Sequence, residues 1–70
     1  MLTLFGTSAC HLCELAEALL QRHGAAYRSV DISESEELFA RYGLTIPVLR
    51  RDDGAELNWP FDEASLARFL

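Results

Sequence analysis

The stretch Leu2-Thr3-Leu4-Phe5-Gly6-Thr7-Ser8-Ala9-Cys10-His11-Leu12-Cys13 decides how this chain folds. It opens with a short apolar, β-prone run that Gly6-Thr7-Ser8 brings to an end. Apolar residues return at Leu12, Leu15, Ala16, Leu19 and Leu20, spaced as one face of a helix. That helix is expected to stop at His23-Gly24, with Gly24 in the position after the cap, where glycine enters left-handed backbone without strain. Ala26 to Ile32 reads as a second strand. Strand, helix, strand in that order implies a parallel pair joined by a right-handed crossover. The two cysteines therefore sit directly after the first strand, at the mouth of the first helix.

Working outward, Ser33-Glu34-Ser35-Glu36 carries a Ser-x-x-Glu capping pattern. It predicts a short helix through Leu38, Phe39 and Tyr42 that stops at Gly43, since Pro47 cannot lie inside it. Val48–Arg51, the Asp53-Gly54 turn and Glu56–Trp59 make a hairpin signal, because Asp-Gly tolerates the positive φ angles of tight turns. Asp62 is placed to cap a last helix, with Phe61 and Leu66 spaced as a hydrophobic staple and Leu66, Phe69 and Leu70 as its buried stripe. The expected order is β-α-β-α-β-β-α, an α/β fold occupying residues 1–70 as a single domain.

Composition narrows what such a chain can do. Six arginines, no lysine and a net charge of −5 leave no basic stripe for nucleic acid and no polybasic cluster for anionic lipid. Leu2–Phe5 is too short for the apolar region of an export signal, and no stretch reaches the ~18 apolar residues of a membrane span. The expected compartment is a reducing cytoplasm, and the cysteines are read in that setting.

Cys10-His11-Leu12-Cys13 admits three readings. As a staple it is poor: closing four residues removes about 2 kcal/mol of unfolded-state entropy, against about 3.6 for a loop of ~30 residues. As a redox pair the spacing fits, since helical residues three apart have Cα atoms about 5 Å from each other, inside the window a disulfide requires. The unpaired N–H groups and positive dipole end of the helix favour a thiolate at Cys10, making it the nucleophile. Cys13, one turn deeper, then attacks the mixed disulfide and resolves it. As a zinc site the motif lacks ligands, with only His11, His23 and carboxylates to complete a set of four. Haem attachment is excluded because Glu14, not histidine, follows Cys13. His11 has two readings, a cation that tunes the Cys10 thiolate or a solvent-facing loop residue. His23 reads as a residue interacting with the dipole at its helix end.

The residues Phe5 to Cys13, with Thr45-Ile46-Pro47-Val48 downstream, resemble the glutaredoxin branch of the thioredoxin superfamily along the entire chain. More narrowly, the chain is similar to short bacterial glutaredoxin-like proteins with a Cys-His-Leu-Cys motif and a Pro-Phe-Asp segment before the last helix, here Pro60-Phe61-Asp62. The resemblance implies a four-stranded mixed sheet flanked by three helices, with Cys10 and Cys13 as catalytic residues. It further implies a cis Pro47 beside the disulfide and an Ile46 backbone that hydrogen-bonds a substrate thiol. Ser8, Leu12, Phe61 and Asp62 complete the substrate-binding set it suggests. The implied activity is thiol–disulfide exchange on protein or glutathione mixed disulfides by a monomer, with glutathione as a co-substrate, no tightly bound cofactor and no metal. Departures from the pattern are visible too. His11 and Leu12 stand where glutaredoxins usually have Pro and Tyr, and Trp59-Pro60-Phe61-Asp62 replaces the Gly-Gly-x-Asp segment that cradles glutathione. No basic residue precedes Cys10, and the first strand lacks the buried acid of thioredoxins. The rivals to an oxidoreductase are a metal or iron–sulfur binding module and an interaction scaffold that keeps the fold alone.

Overall fold

The chain runs β1 (Leu2–Gly6), α1 (His11–Arg22), β2 (Tyr27–Asp31), a 3₁₀ turn (Ile32–Glu34), α2 (Glu36–Tyr42), β3 (Val48–Arg50), β4 (Glu56–Asn58) and α3 (Glu63–Phe69) in a computed structural model describing residues 1–70. The strands form one mixed sheet in the order β2-β1-β3-β4. β1 pairs parallel with β2, while β3 is antiparallel to both β1 and β4. No helix is long and apolar enough to cross a membrane.

Because side chains alternate along a strand, the central strands bury both their faces. Leu2 and Leu4 of β1 and Leu49 of β3 meet Ala16 and Leu20 of α1 and Leu66 of α3 in one cluster. Phe5 and Val48, one residue out of phase, meet Ile32 of the 3₁₀ turn and Tyr42 of α2 on the opposite face. The Tyr42 ring stacks on Phe5 with centroids 4.5 Å apart, and its hydroxyl donates to Glu56 at 2.5 Å. Arg22 of α1 pairs with Glu63 of α3 at 2.6 Å, tying the two helices that share the first cluster.

Several local expectations shift. The cap of α2 is Ser35, not Ser33: its hydroxyl accepts from the Leu38 N–H at 3.3 Å. Ile32 is fully buried, and the 3₁₀ turn that inserts it consumes Ser33, whose N–H and hydroxyl donate to Asp31 instead. β2 is accordingly shorter than Ala26–Ile32. In α1 the sheet-facing positions are Cys13, Ala16 and Leu20, leaving Leu12 and Leu15 43% and 41% exposed. The hairpin turns through Asp52-Asp53-Gly54 with only Gly54 at positive φ (92°), so it is a three-residue loop rather than a two-residue turn of the Asp-Gly kind. Leu70, expected in the stripe of α3, is 51% exposed. Phe69 is half-buried beneath the Arg51 guanidinium, which lies 4.9 Å from its ring centre.

Candidate active site

The end of β1 and the start of α1 bring the chemistry together. Cys10 is the N-cap of α1, in extended backbone, and its sulfur accepts from the Cys13 N–H at 3.2 Å. A capping position is normally held by an oxygen that satisfies one of the unpaired N–H groups of the first turn. Here sulfur takes that place, where charge on it would be stabilised by the donor and the helix dipole. The Cα atoms of Cys10 and Cys13 are 5.2 Å apart and their sulfurs are joined as a disulfide. Cys10 is half-buried, whereas Cys13 is buried.

Two backbone features set this geometry. Ala9 carries a φ of 60°, unusual for a residue with a Cβ, and turns the chain into the cap. Gly6 lies so close to Cys13 that a Cβ on it would fall 2.8 Å from the sulfur. The sequence shows Gly6 only as the end of a strand; that its missing side chain makes room for the disulfide emerges from the packing. Its position just upstream of a strand-to-helix cysteine motif is the available signal.

The sequence-derived site residues divide into groups. Ser8, Cys10 and Cys13 line an open groove of about 410 Å³ between α1 and β2, together with Glu14, Glu17 and Asp31. His11, Leu12, Ile46, Pro47, Phe61 and Asp62 do not line it. His11 is exposed, with Nδ1 3.7 Å from a Glu14 carboxylate oxygen, and no hydrogen bond joins it to either sulfur. Ile46–Pro47 is a cis peptide bond, as is Trp59–Pro60, and the Trp59 N–H donates to the Pro47 carbonyl at 3.2 Å. The Ile46 N–H is already given to the Tyr42 carbonyl at 3.1 Å, so of the backbone groups of Ile46 only the carbonyl remains for a ligand. Phe61 is 6% exposed and packs in the same cluster as Leu66, edge-on to Trp59 at 5.0 Å. It therefore serves the core as a staple rather than presenting a surface to substrate. Asp62 caps α3 by accepting from the Ser65 N–H at 2.8 Å, and that N–H, with the Ser65 side chain, holds its carboxyl below the usual 3.8. Asp31 is likewise held low, first by the Ser33 hydroxyl and then by the Ser33 N–H. No group of three or more His, Cys, Asp or Glu side chains converges as a metal-ligand set.

Comparison with known proteins agrees with this architecture. A family model described as a glutaredoxin-like domain matches residues 1–70. The chain belongs to the glutaredoxin-like domain family. Among solved structures, this glutaredoxin-like domain is similar to the structural-genomics target protein XcR50 from X. campestris, at 43% identity with a TM-score of 0.92. That match covers 99% of this chain and 93% of the other. It is also similar to protein Ne2328 from Nitrosomonas europaea, at 27% identity and a TM-score of 0.83 over 99% of this chain and 88% of the other. The thioredoxin-like protein BC3987 shares the fold at 17% identity and a TM-score of 0.76 over the full length of both. No protein of curated function gives a significant match. The glutaredoxin-like domain thus has a thioredoxin-like α/β fold with an intact cysteine pair at the start of α1.

Proposed function

We propose that this glutaredoxin-like domain is a thiol–disulfide oxidoreductase. The observation that carries the reading is the Cys10–Cys13 pair at the N-terminus of α1, with the outer sulfur in the capping position and the inner one buried. In the reduced protein, the Cys10 thiolate attacks one sulfur of a substrate disulfide, forming a mixed disulfide and expelling a thiolate that takes up a proton. Cys13 then gives its proton to solvent and attacks the Cys10 sulfur, releasing the second substrate thiol and leaving the Cys10–Cys13 disulfide. Two electrons pass from the protein dithiol to the substrate, and an external thiol reductant returns the protein to its starting state. The substrate is a protein or glutathione mixed disulfide, and the chemistry suits a reducing compartment such as the cytoplasm and a protein working as a monomer.

Equilibration across a series of reduced-to-oxidised glutathione ratios, with free thiols alkylated and counted by mass, is expected to show a reversible two-thiol transition. Cys10→Ser should reduce a model mixed disulfide no faster than the uncatalysed reaction, while Cys13→Ser should accumulate a covalent adduct on Cys10. Unchanged turnover in the Cys10 variant would overturn the scheme.

A further inference from the structure

The groove that carries the disulfide has one sign of charge. Glu14 and Glu17 of α1 and Asp31 of β2 line it beside Cys10 and Cys13, and no arginine does. None of the three carboxylates is neutralised by an arginine. Glu14 faces only His11, Glu17 accepts from the Ser29 hydroxyl at 2.8 Å, and Asp31 is engaged by Ser33. The arginines are placed elsewhere. Arg28, Arg50 and Arg51 line a separate groove on the α2 side of the sheet. Arg22 pairs with Glu63, Arg41 lies over the Tyr42 ring, and Arg68 is in the last turn of α3. The floor of the acidic groove is also distinctive, because β2 is an edge strand and its outward main-chain groups have no backbone partner within the chain. An extended peptide can lie along such an edge using main-chain hydrogen bonds.

We infer that this groove selects thiol or disulfide partners carried on a positively charged polypeptide segment, with lysine or arginine flanking the reacting cysteine, over anionic disulfides such as that of glutathione. The inference rests on the redox reading above and names its substrate class. Its scale follows from size: a 410 Å³ space is about 9 Å across as a sphere, comparable to the ~8 Å Debye length at physiological ionic strength. A charge midway across lies about half that width from the walls, within one Debye length of the lining carboxylates, so their attraction is only partly screened. Glutathione, with two carboxylates against one ammonium, is opposed there. A lysine-flanked cysteine is drawn in, and like-signed clefts of this kind raise association rates by ~10-fold or more.

The test uses the full chain in its reduced form and three symmetrical peptide disulfides of one sequence, the cysteine flanked by Lys, Ser or Glu, with glutathione disulfide as a fourth probe. Single-turnover rates are read by rapid alkylation. At about 10 mM ionic strength the Lys peptide should react at least ~10-fold faster than the Glu peptide or glutathione disulfide, the difference closing toward unity near 1 M, where the Debye length is ~3 Å. Glu14→Gln/Glu17→Gln should collapse the Lys-to-Glu ratio, whereas Glu34→Gln/Glu37→Gln, equal in net charge change but outside the groove, should leave the ratio in place. Equal rates for the charged peptides at low salt, a faster reaction with glutathione disulfide, or a ratio lowered equally by both double variants would overturn the inference while leaving the redox reading standing. A Ser peptide reduced no faster by the protein than by Cys10→Ser would instead overturn both.

Discussion

Replacing Gly6 with alanine should strain the disulfide directly. A Cβ there would stand 2.8 Å from the Cys13 sulfur and 3.2 Å from its Cβ, where carbon contacts ordinarily settle near 3.5–4.0 Å. The obstacle is a sulfur held in a four-residue ring, so relief requires moving the first turn of α1 off the end of β1. Overpacking of this kind typically costs about 1–3 kcal/mol. For a chain of 70 residues the total stability is on the order of 4–10 kcal/mol, so the loss is a substantial fraction of it. At about 4–8 °C per kcal/mol for a domain this small, a cost of about 2 kcal/mol lowers Tm by about 8–16 °C. The assay is thermal unfolding in a double-mutant cycle with Cys13→Ala, run under reducing conditions so that all four proteins lack the bridge and differ only in the contact. Removing the sulfur deletes the closer of the two contacts, so Gly6→Ala should be much less damaging in the Cys13→Ala background, with a coupling of about 1 kcal/mol or more. An equal penalty in both backgrounds would refute the argument and locate the glycine's role in its backbone alone.

Reducing the protein should lower Tm without unfolding it, because a bridge closing four residues contributes only about 2 kcal/mol, or about 8–16 °C at this size; calorimetry of both redox states checks this. Tyr42→Phe should cost about 1 kcal/mol by deleting the hydroxyl's hydrogen bond to Glu56 while keeping the stack on Phe5, read as a Tm fall of about 4–8 °C. Burial, and then the Glu56 carboxylate, push the Tyr42 phenol above its usual 10.0, so the folded state holds this proton after the unfolded chain has lost it. Its contribution is full below pH 10 and is lost as pH rises beyond that, and the variant should lack this alkaline loss. Asp31, Asp53 and Asp62 are held below 3.8, Asp53 chiefly by Arg51, so their stabilisation is present above that pH and lost as the pH falls below it. Acid titration followed by circular dichroism should place the onset of unfolding below pH 4, and Asp62→Asn should blunt its share of that acid dependence while keeping the cap.

What was legible in the sequence was local. The strand-helix-strand order around Cys10 and Cys13, Gly24 at φ 67° after α1, and Asp62 capping α3 all rest on neighbours within a few residues. Local signals competed where tertiary burial chose between them: Ser33 and Ser35 are both credible caps, and the insertion of Ile32 into the second cluster decides for Ser35. Leu12 and Leu15 fit a helical stripe as well as Leu20 does, yet the sheet meets only the face running through Cys13, Ala16 and Leu20. Phe61 followed both a staple pattern and a site pattern, and packing with Leu66 assigns it to the core. The acidic groove was not legible at all, because Glu14, Glu17 and Asp31 become neighbours only once α1 lies against the edge strand.

The small contribution of the disulfide bears on what the cysteine pair is for. Both apolar clusters are built without sulfur: Leu2, Leu4, Ala16, Leu20, Leu49, Phe61 and Leu66 on one face, Phe5, Ile32, Tyr42 and Val48 on the other. None of these contacts runs through the Cys10–Cys13 bond. Neither cluster therefore relies on the bridge, and its opening and closing is expected to leave the scaffold in place. A stapling disulfide contributes most when it links distant segments. Here the partner is three residues away and the outer sulfur is half-exposed at a helix end that favours its thiolate. That combination adds little to stability and leaves the outer sulfur open to attack by, and on, a second molecule, which is the arrangement expected of a couple that cycles.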